Sequence, residues 1–383
     1  MPWRNFKRFF VKLFRQPFYA LQVLSRRVKA YGSYLLGRGR SSVPEAITLF
    51  LTHRCNLRCK MCGQWGESGV TKQKASDAVA AELPFSLMQK LFDDVSAFAP
   101  NITLFGGEPL LYPQCIELIE YIKQKKMHCL MITNGAMLGV FAEKLVDAGL
   151  DELNVSLDGG RELHDTIRGM PGLYDKITAG LKRVNEYKKK DNRKKPFINL
   201  QCTVTKYNYE HLEQLTKVAR DVGADSLTYH NLIFLDKGLL EKQKLFDAQL
   251  GSSSCDWEGF VFSPEIDPEK LYAKMQGILS QAYPFSVDFY PNLTLKGLKE
   301  YYNNPSYLPA EYPSRCLSPW IVAYVFPDGG VRPCLNSTYS FGNIHSAGFP
   351  AVWNGAEAIS FRKTLKKNGI FPVCVRCTEL YRY

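Results

Sequence analysis

Residues 51–63 read LTHRCNLRCKMCG and close an apolar run that begins at Ala46. Cys55, Cys59 and Cys62 stand there in a C-x₃-C-x₂-C array. Thiolates suit soft metals, and a [4Fe–4S] cluster normally takes four cysteines. Three thiolates leave one iron open to a group that is not protein. On spacing alone, a zinc knuckle or three buried thiols would explain the same pattern.

Outward from this stretch, strand and helix alternate six times. Strand patterns fall at 46–52, 102–105, 129–133, 153–157, 197–204 and 226–230, with amphipathic helical stretches at 84–98, 116–125, 140–148, 173–190 and 210–222. Alternating units of this length argue for parallel strands with right-handed crossovers. The expected fold is α/β, a partial (β/α)₆ TIM-like barrel, with a doubly wound sheet as runner-up. Both place chemistry beyond the carboxyl ends of the strands. The cysteines follow the first strand, Gly106-Gly107-Glu108-Pro109 the second, and Thr133-Asn134-Gly135 ends the third. Ser156 sits near the end of the fourth.

C-x₃-C-x₂-C after an apolar strand, followed by GGEP, resembles the radical S-adenosylmethionine (AdoMet) superfamily. The resemblance implies a [4Fe–4S] cluster on Cys55, Cys59 and Cys62, with the AdoMet amino-acid zwitterion on the open iron. It implies that Gly106 and Gly107 let backbone approach the cofactor, that Glu108 accepts from the ammonium, and that Ser156 and Arg168 donate to the carboxylate. Thr133 and Asn134 would face the ribose or the substrate. The residue before the third cysteine is usually aromatic in this family. Here it is Met61, whose polarisable thioether still packs on adenine. The implied chemistry is one-electron cleavage of AdoMet by an external ferredoxin- or flavodoxin-like donor, giving a 5′-deoxyadenosyl radical that takes hydrogen from substrate.

A second set, Cys316, Cys334, Cys374 and Cys377, flanks an apolar strand, an Asp328-Gly329-Gly330 turn and a return strand. With Gly329 as marker it reads C-x₁₂-G-x₄-C, which resembles the opening of a SPASM or shortened (twitch) auxiliary-cluster domain. A second [4Fe–4S] cluster is the expectation, and a structural Zn(Cys)₄ site is the alternative. The expected domains are a basic helical extension (1–44), the barrel (45–235), a bridging segment (236–310) with one helix near 268–282, and the auxiliary-cluster domain (311–383), with a helix near 356–367.

The 383-residue chain is 45% apolar, enough for a sizeable core, and its net charge of +12 is concentrated in a tail. Residues 1–44 carry ten Lys/Arg and no acidic residue, so the remainder is close to neutral and no nucleic-acid-binding face is expected. No apolar run is long enough to span a bilayer. Two amphipathic helical pieces, 2–16 and 18–36, are separated by Pro17, with Phe18, Leu21, Leu24 and Val28 continuing an apolar stripe. Aromatic and basic residues together suit a helix lying on anionic lipid. The alternative is an extension whose stripe packs into the body. Seven of eleven cysteines stand in metal-like spacings, which suits a reducing cytoplasm, with a peripheral position on the inner membrane face supplied by the tail.

Tyr229, His230 and Asn231, at the sixth strand end, are candidate substrate contacts, with a core role as the alternative for His230. Cys255 is a candidate hydrogen-atom donor or a bystander on the surface. His53 is a candidate donor to a cluster sulfur or to backbone. A small-molecule, lipid or lipid-linked substrate is expected. A ribosomal-peptide maturase is the alternative enzyme, and a non-catalytic iron–sulfur electron carrier is the alternative from another class.

Overall fold

The computed structural model describes residues 17–382, with side chains from residue 21 onward. The expected helix over 2–16 lies outside the described residues. Pro17 opens helix α1 (Pro17–Leu36), as a residue without a backbone N–H can at a helix start.

All six expected strands form: β1 (Ala46–Phe50), β2 (Asn101–Phe105), β3 (Cys129–Thr133), β4 (Glu152–Ser156), β5 (Phe197–Thr203) and β6 (Ser226–His230). Between them run α2 (Phe85–Val95), α3 (Cys115–Gln124), α4 (Leu138–Asp147), α5 (Arg161–Arg168), α6 (Leu173–Lys190) and α7 (Gln214–Asp221). Each strand pairs in parallel with the next. Segment 236–310, where the rhythm was expected to lapse, contains α8 (Lys237–Leu250), α9 (Pro268–Leu279) and a seventh strand, β7 (Ser286–Tyr290), parallel to β6. Its five residues, SVDFY, lie between Pro284 and Pro291 and include Asp288, so they form no apolar run.

The hairpin between Cys316 and Cys334 joins the same sheet. β8 (Val322–Val325) pairs in parallel with the free edge of β1, and β9 (Gly330–Arg332) and β10 (Gly342–Asn343) follow antiparallel. The outcome is one open ten-stranded sheet in the order β10-β9-β8-β1-β2-β3-β4-β5-β6-β7, a partial barrel. Gly329 takes φ +79° in the hairpin turn, and a Cβ there would meet the His345 ring at 2.4 Å. That position therefore requires glycine.

Side chains alternate across the strands. Leu153, Val155, Leu200, Cys202, Leu227, Tyr229 and Phe289 are fully buried against the helices. The alternate positions, Ser156, Gln201, Thr228 and Asp288, are half-buried and aligned in register on the concave face.

Candidate active site and auxiliary cysteine site

The cysteine loop after β1 is held by three later elements. From the end of β2, Gly107 N–H donates to Thr52 O at 2.7 Å and Glu108 N–H to Arg54 O at 2.9 Å. A Cβ on Gly106 would meet Thr52 O at 2.7 Å, and one on Gly107 would meet Arg54 O at 2.1 Å. Both glycines are thus required by the crossing of this turn over the cysteine loop, before any ligand is considered.

Glu108 is fully buried. Its carboxylate accepts from Leu110 N–H at 3.1 Å, Thr133 Oγ1 at 2.7 Å and Asn134 N–H at 2.8 Å. Burial pushes its pKa up, and these bonds oppose the shift. Glu108 therefore ties the end of β2 to the end of β3, a structural duty in addition to the cofactor contact expected of it. Asn134 extends the link, with Nδ2 2.7 Å from Asn56 Oδ1 and 3.8 Å from Cys55 Sγ.

The third support is the end of α5. Arg168 Nε lies 2.5 Å from Asp158 Oδ2, and Nη1 lies 3.8 Å from Cys59 Sγ. Asp158 is fully buried and also accepts from Thr203 N–H at 2.9 Å. Lys60 N–H donates to Ile167 O at 2.9 Å, closing the loop onto the helix end. Ser156 lies on the concave face at the end of β4, half-buried. Met61 is half-buried beside Cys62.

Trp65, which sequence inspection passed over, donates its backbone N–H to Cys62 Sγ at 3.3 Å and its indole N–H to His53 O at 2.8 Å. Each of the three sulfurs thus has an N–H donor within sulfur hydrogen-bond range. Burial, reinforced by Cys59, Glu108 and Cys62, raises the Cys55 thiol to about 11. Three thiolates in this position need a positive group among them, and the N–H donors directed at their sulfurs suit an iron–sulfur cluster. Burial, then the Lys74 charge, lowers His53 to about 4, so its imidazole is neutral.

Two expected contacts are corrected. Tyr229 faces away from the concave side: it is fully buried, stacks on Phe289 with centroids 4.5 Å apart, and donates to Leu212 O at 2.7 Å. It is a core residue. The alternation of Leu227 and Tyr229 with Thr228 and His230 carried that signal. Cys255 is exposed, whereas a thiol returning a hydrogen atom to a radical must sit in the sheltered pocket. His230 does lie on the concave side, in register with Thr203 and Tyr290. Asn231 is buried and bonded to Pro291 O and Tyr302, a strut between chain segments.

Cys316, Cys334, Cys374 and Cys377 border one cavity, whose wall also includes Gln243, Asp247, Ser254 and Trp257 from the bridging segment. Burial pushes all four thiols up, Cys334 to about 12 and Cys374 to about 11. These four thiols surround a shared space. Arg376, inside the C-x₂-C pair and fully buried, donates to the carbonyls of Tyr301, Asn304 and Tyr307 at 2.7–2.9 Å. It fixes the last two cysteines to the end of the bridging segment.

A parallel partial barrel with a three-thiol loop at its carboxyl end and a four-thiol cavity beside it is an arrangement suited to holding iron–sulfur clusters. The chain belongs to the radical SAM superfamily, whose family model matches residues 49–219, and it carries an iron–sulfur cluster-binding SPASM domain over residues 316–378. It is 28% identical over 342 residues to the AdoMet-dependent heme synthase of Methanosarcina barkeri, covering 88% of this chain and 89% of that one. It is 23% identical over 351 residues to the tungsten-containing aldehyde ferredoxin oxidoreductase cofactor-modifying protein of Pyrococcus furiosus, covering 86% of each. The fold is similar to that of Streptococcus suis SuiB bound to precursor peptide SuiA, with a TM-score of 0.62 and 14% identity over 95% of this chain and 76% of that one. Membership in this enzyme family sets aside the electron-carrier alternative.

Proposed function

We propose that this radical SAM enzyme acts on a polar small molecule, with two iron–sulfur clusters held by Cys55, Cys59 and Cys62 and by Cys316, Cys334, Cys374 and Cys377. When bound, the first cluster and AdoMet supply reductive cleavage of the sulfonium and the hydrogen abstraction that follows. The chain's own residues hold the cysteine loop through Glu108, Asn134 and Arg168. They leave Ser156 as a hydroxyl with no hydrogen-bond partner among the described residues, placed to meet the AdoMet carboxylate. The second cluster would exchange electrons with the reacting centre, and an external one-electron donor would reduce the first. The barrel, bridging segment and auxiliary domain divide this work as 45–235, 236–310 and 311–383, in a cytoplasmic enzyme placed peripherally on the inner membrane face.

The observation that carries the substrate class is the concave row of Ser156, Gln201, Thr228 and Asp288 on β4–β7. Beneath it, Asn199 Oδ1 accepts from Ser226 Oγ at 2.9 Å and from Thr228 Oγ1 at 3.3 Å. Asn154 Oδ1 is buried with no hydrogen-bond partner among the described residues. Covering such groups with an acyl chain costs about 1–3 kcal/mol for each one left unpaired, so a hydroxyl- or amide-bearing substrate fits better than a lipid. The names of the two relatives, heme synthesis and cofactor modification, agree with a small molecule. A peptide backbone offers the same donors and acceptors and is the second reading.

The test is anaerobic reconstitution with dithionite, AdoMet and panels of polar metabolites, peptides and lipids. Polar small molecules should stimulate 5′-deoxyadenosine formation and transfer substrate deuterium into it. Stimulation by lipids alone would overturn the substrate class, and absence of 5′-deoxyadenosine would overturn the reaction.

A further inference from the structure

Helix α1 is docked by its charged side. Arg26 donates to the carbonyls of Phe98 and Ala99, and Arg27 forms a two-pronged pair with Glu45 at 3.0 and 3.2 Å. Ala30 is buried, and Tyr34 meets Trp320 edge-on at 5.1 Å. An amphipathic helix on a globular body normally turns its apolar stripe inward. Here Leu21, Leu24, Val28, Tyr31 and Leu35, spaced three or four residues apart, point outward at 39–64% exposure, and Leu36 is 83% exposed. Of nine exposed large apolar side chains among the described residues, six are on this helix. The patch is therefore concentrated on one element, and a concentrated apolar patch marks an interaction surface.

We infer that this outer face of α1 is the surface by which the enzyme lies on an anionic bilayer, with its active-site mouth turned away from the lipid. The inference deepens the peripheral location proposed above and is independent of the reaction. Charge identifies the occupant. Residues 1–44 hold ten basic and no acidic residues, with Arg4, Lys7, Arg8, Lys12 and Arg15 preceding the helix and Lys29, Arg38 and Arg40 exposed on or just after it. Apolar side chains flanked by cations match a layer of acyl chains beneath anionic headgroups. No described helix is long and apolar enough to cross a membrane.

The orientation follows from the anchors. Glu45 immediately precedes β1, Phe98 and Ala99 precede β2, and Trp320 precedes β8. All three lie at the amino ends of parallel strands, whereas the cysteine loop, Gly106–Gly107 and Asn134 follow the carboxyl ends. A strand of five residues separates the two ends by about 17 Å. The lipid-facing helix is thus opposite the mouth, and substrate enters from the aqueous side, in agreement with the polar concave row.

The test uses the reconstituted holoenzyme and flotation with phosphatidylcholine vesicles, with or without phosphatidylglycerol. Wild-type enzyme should float with the anionic vesicles. The triple variant Leu24→Asp, Val28→Asp, Leu35→Asp should lose at least about tenfold of that recovery, and 5′-deoxyadenosine formation should be unchanged by the variant or by added vesicles. A charge-reversed variant (Lys7→Glu, Arg8→Glu, Lys12→Glu) should lose the preference for anionic lipid with the stripe intact. Absence of wild-type flotation would overturn both the peripheral location and this surface. Equal recovery of the triple variant would overturn the surface alone, and inhibition by vesicles would overturn the orientation. A wild-type dimer that the triple variant converts to monomer would assign the stripe to a second copy instead.

Discussion

The two cysteine sites differ in how their thiols are held. Cys55, Cys59 and Cys62 sit on a short loop supported from outside by Asn134, Arg168 and the Trp65 backbone, each with a donor directed at a sulfur. Cys316, Cys334, Cys374 and Cys377 come from two separated pieces of chain and border one cavity. In the proposed reading, three thiols with polar supports would leave one iron of a cluster open at the barrel mouth, and four thiols in a mostly apolar wall would close the coordination sphere and favour electron storage over ligand binding.

The largest expected effect breaks the first site. Cys55→Ala should abolish 5′-deoxyadenosine formation and remove about four of about eight irons per chain, measured by product chromatography and iron assay. The paired change Cys374→Ala, Cys377→Ala should also remove about four irons, yet AdoMet should still perturb the electron paramagnetic resonance spectrum of the reduced first cluster. Loss of that perturbation would show that the sites are not separable.

Next comes the Arg168 support. Arg168→Met strands Asp158, which is fully buried, and should destabilise the fold by about 3–5 kcal/mol in denaturant unfolding. Arg168→Lys should restore part of the stability but not the contact to Cys59, because an ammonium lacks the second arm of the guanidinium fork.

The smallest effect is a pH dependence. His164 is fully buried, and its Nδ1 accepts from Asp158 N–H at 3.1 Å. Burial lowers its pKa from 6.5 to about 4. Between those values the unfolded chain binds a proton that the folded chain refuses, so stability falls as pH drops from about 6.5 toward 4, by about 1.4 kcal/mol per pH unit. Unfolding midpoints at pH 7.5 and 5.5 should show this, and His164→Asn should flatten the difference.

Much of the site was legible beforehand because it is written in short segments. The cysteine spacing, GGEP and TNG each follow a strand whose apolar alternation is visible, and they converge because parallel strands place their carboxyl ends together. Glu108 illustrates the limit. Its position was legible, but its three hydrogen bonds to the turns after β2 and β3 depend on the spacing of those strands. Trp65 and Arg376 went unread since neither stands at a motif position, and their partners lie in separate turns. Strand β7 was hidden by Asp288, whose polar side faces the concave surface and removes the apolar run that marks a buried parallel strand.

By itself, the sequence determined the donor sets and the repeating parallel unit, since thiol spacing and side-chain periodicity are local properties. Only the tertiary structure decided that the C-terminal hairpin continues the barrel sheet beside β1. It alone decided that Tyr229 faces the helices, and that α1 turns its charged side inward and leaves its leucines bare. Those outcomes depend on register and on contacts between separate elements, from Arg27–Glu45, 18 positions apart, to the pairing of Ala46 with Val322. On α1 the contacts of Arg26 with the Phe98 and Ala99 carbonyls and of Arg27 with Glu45 hold the charged side against the body.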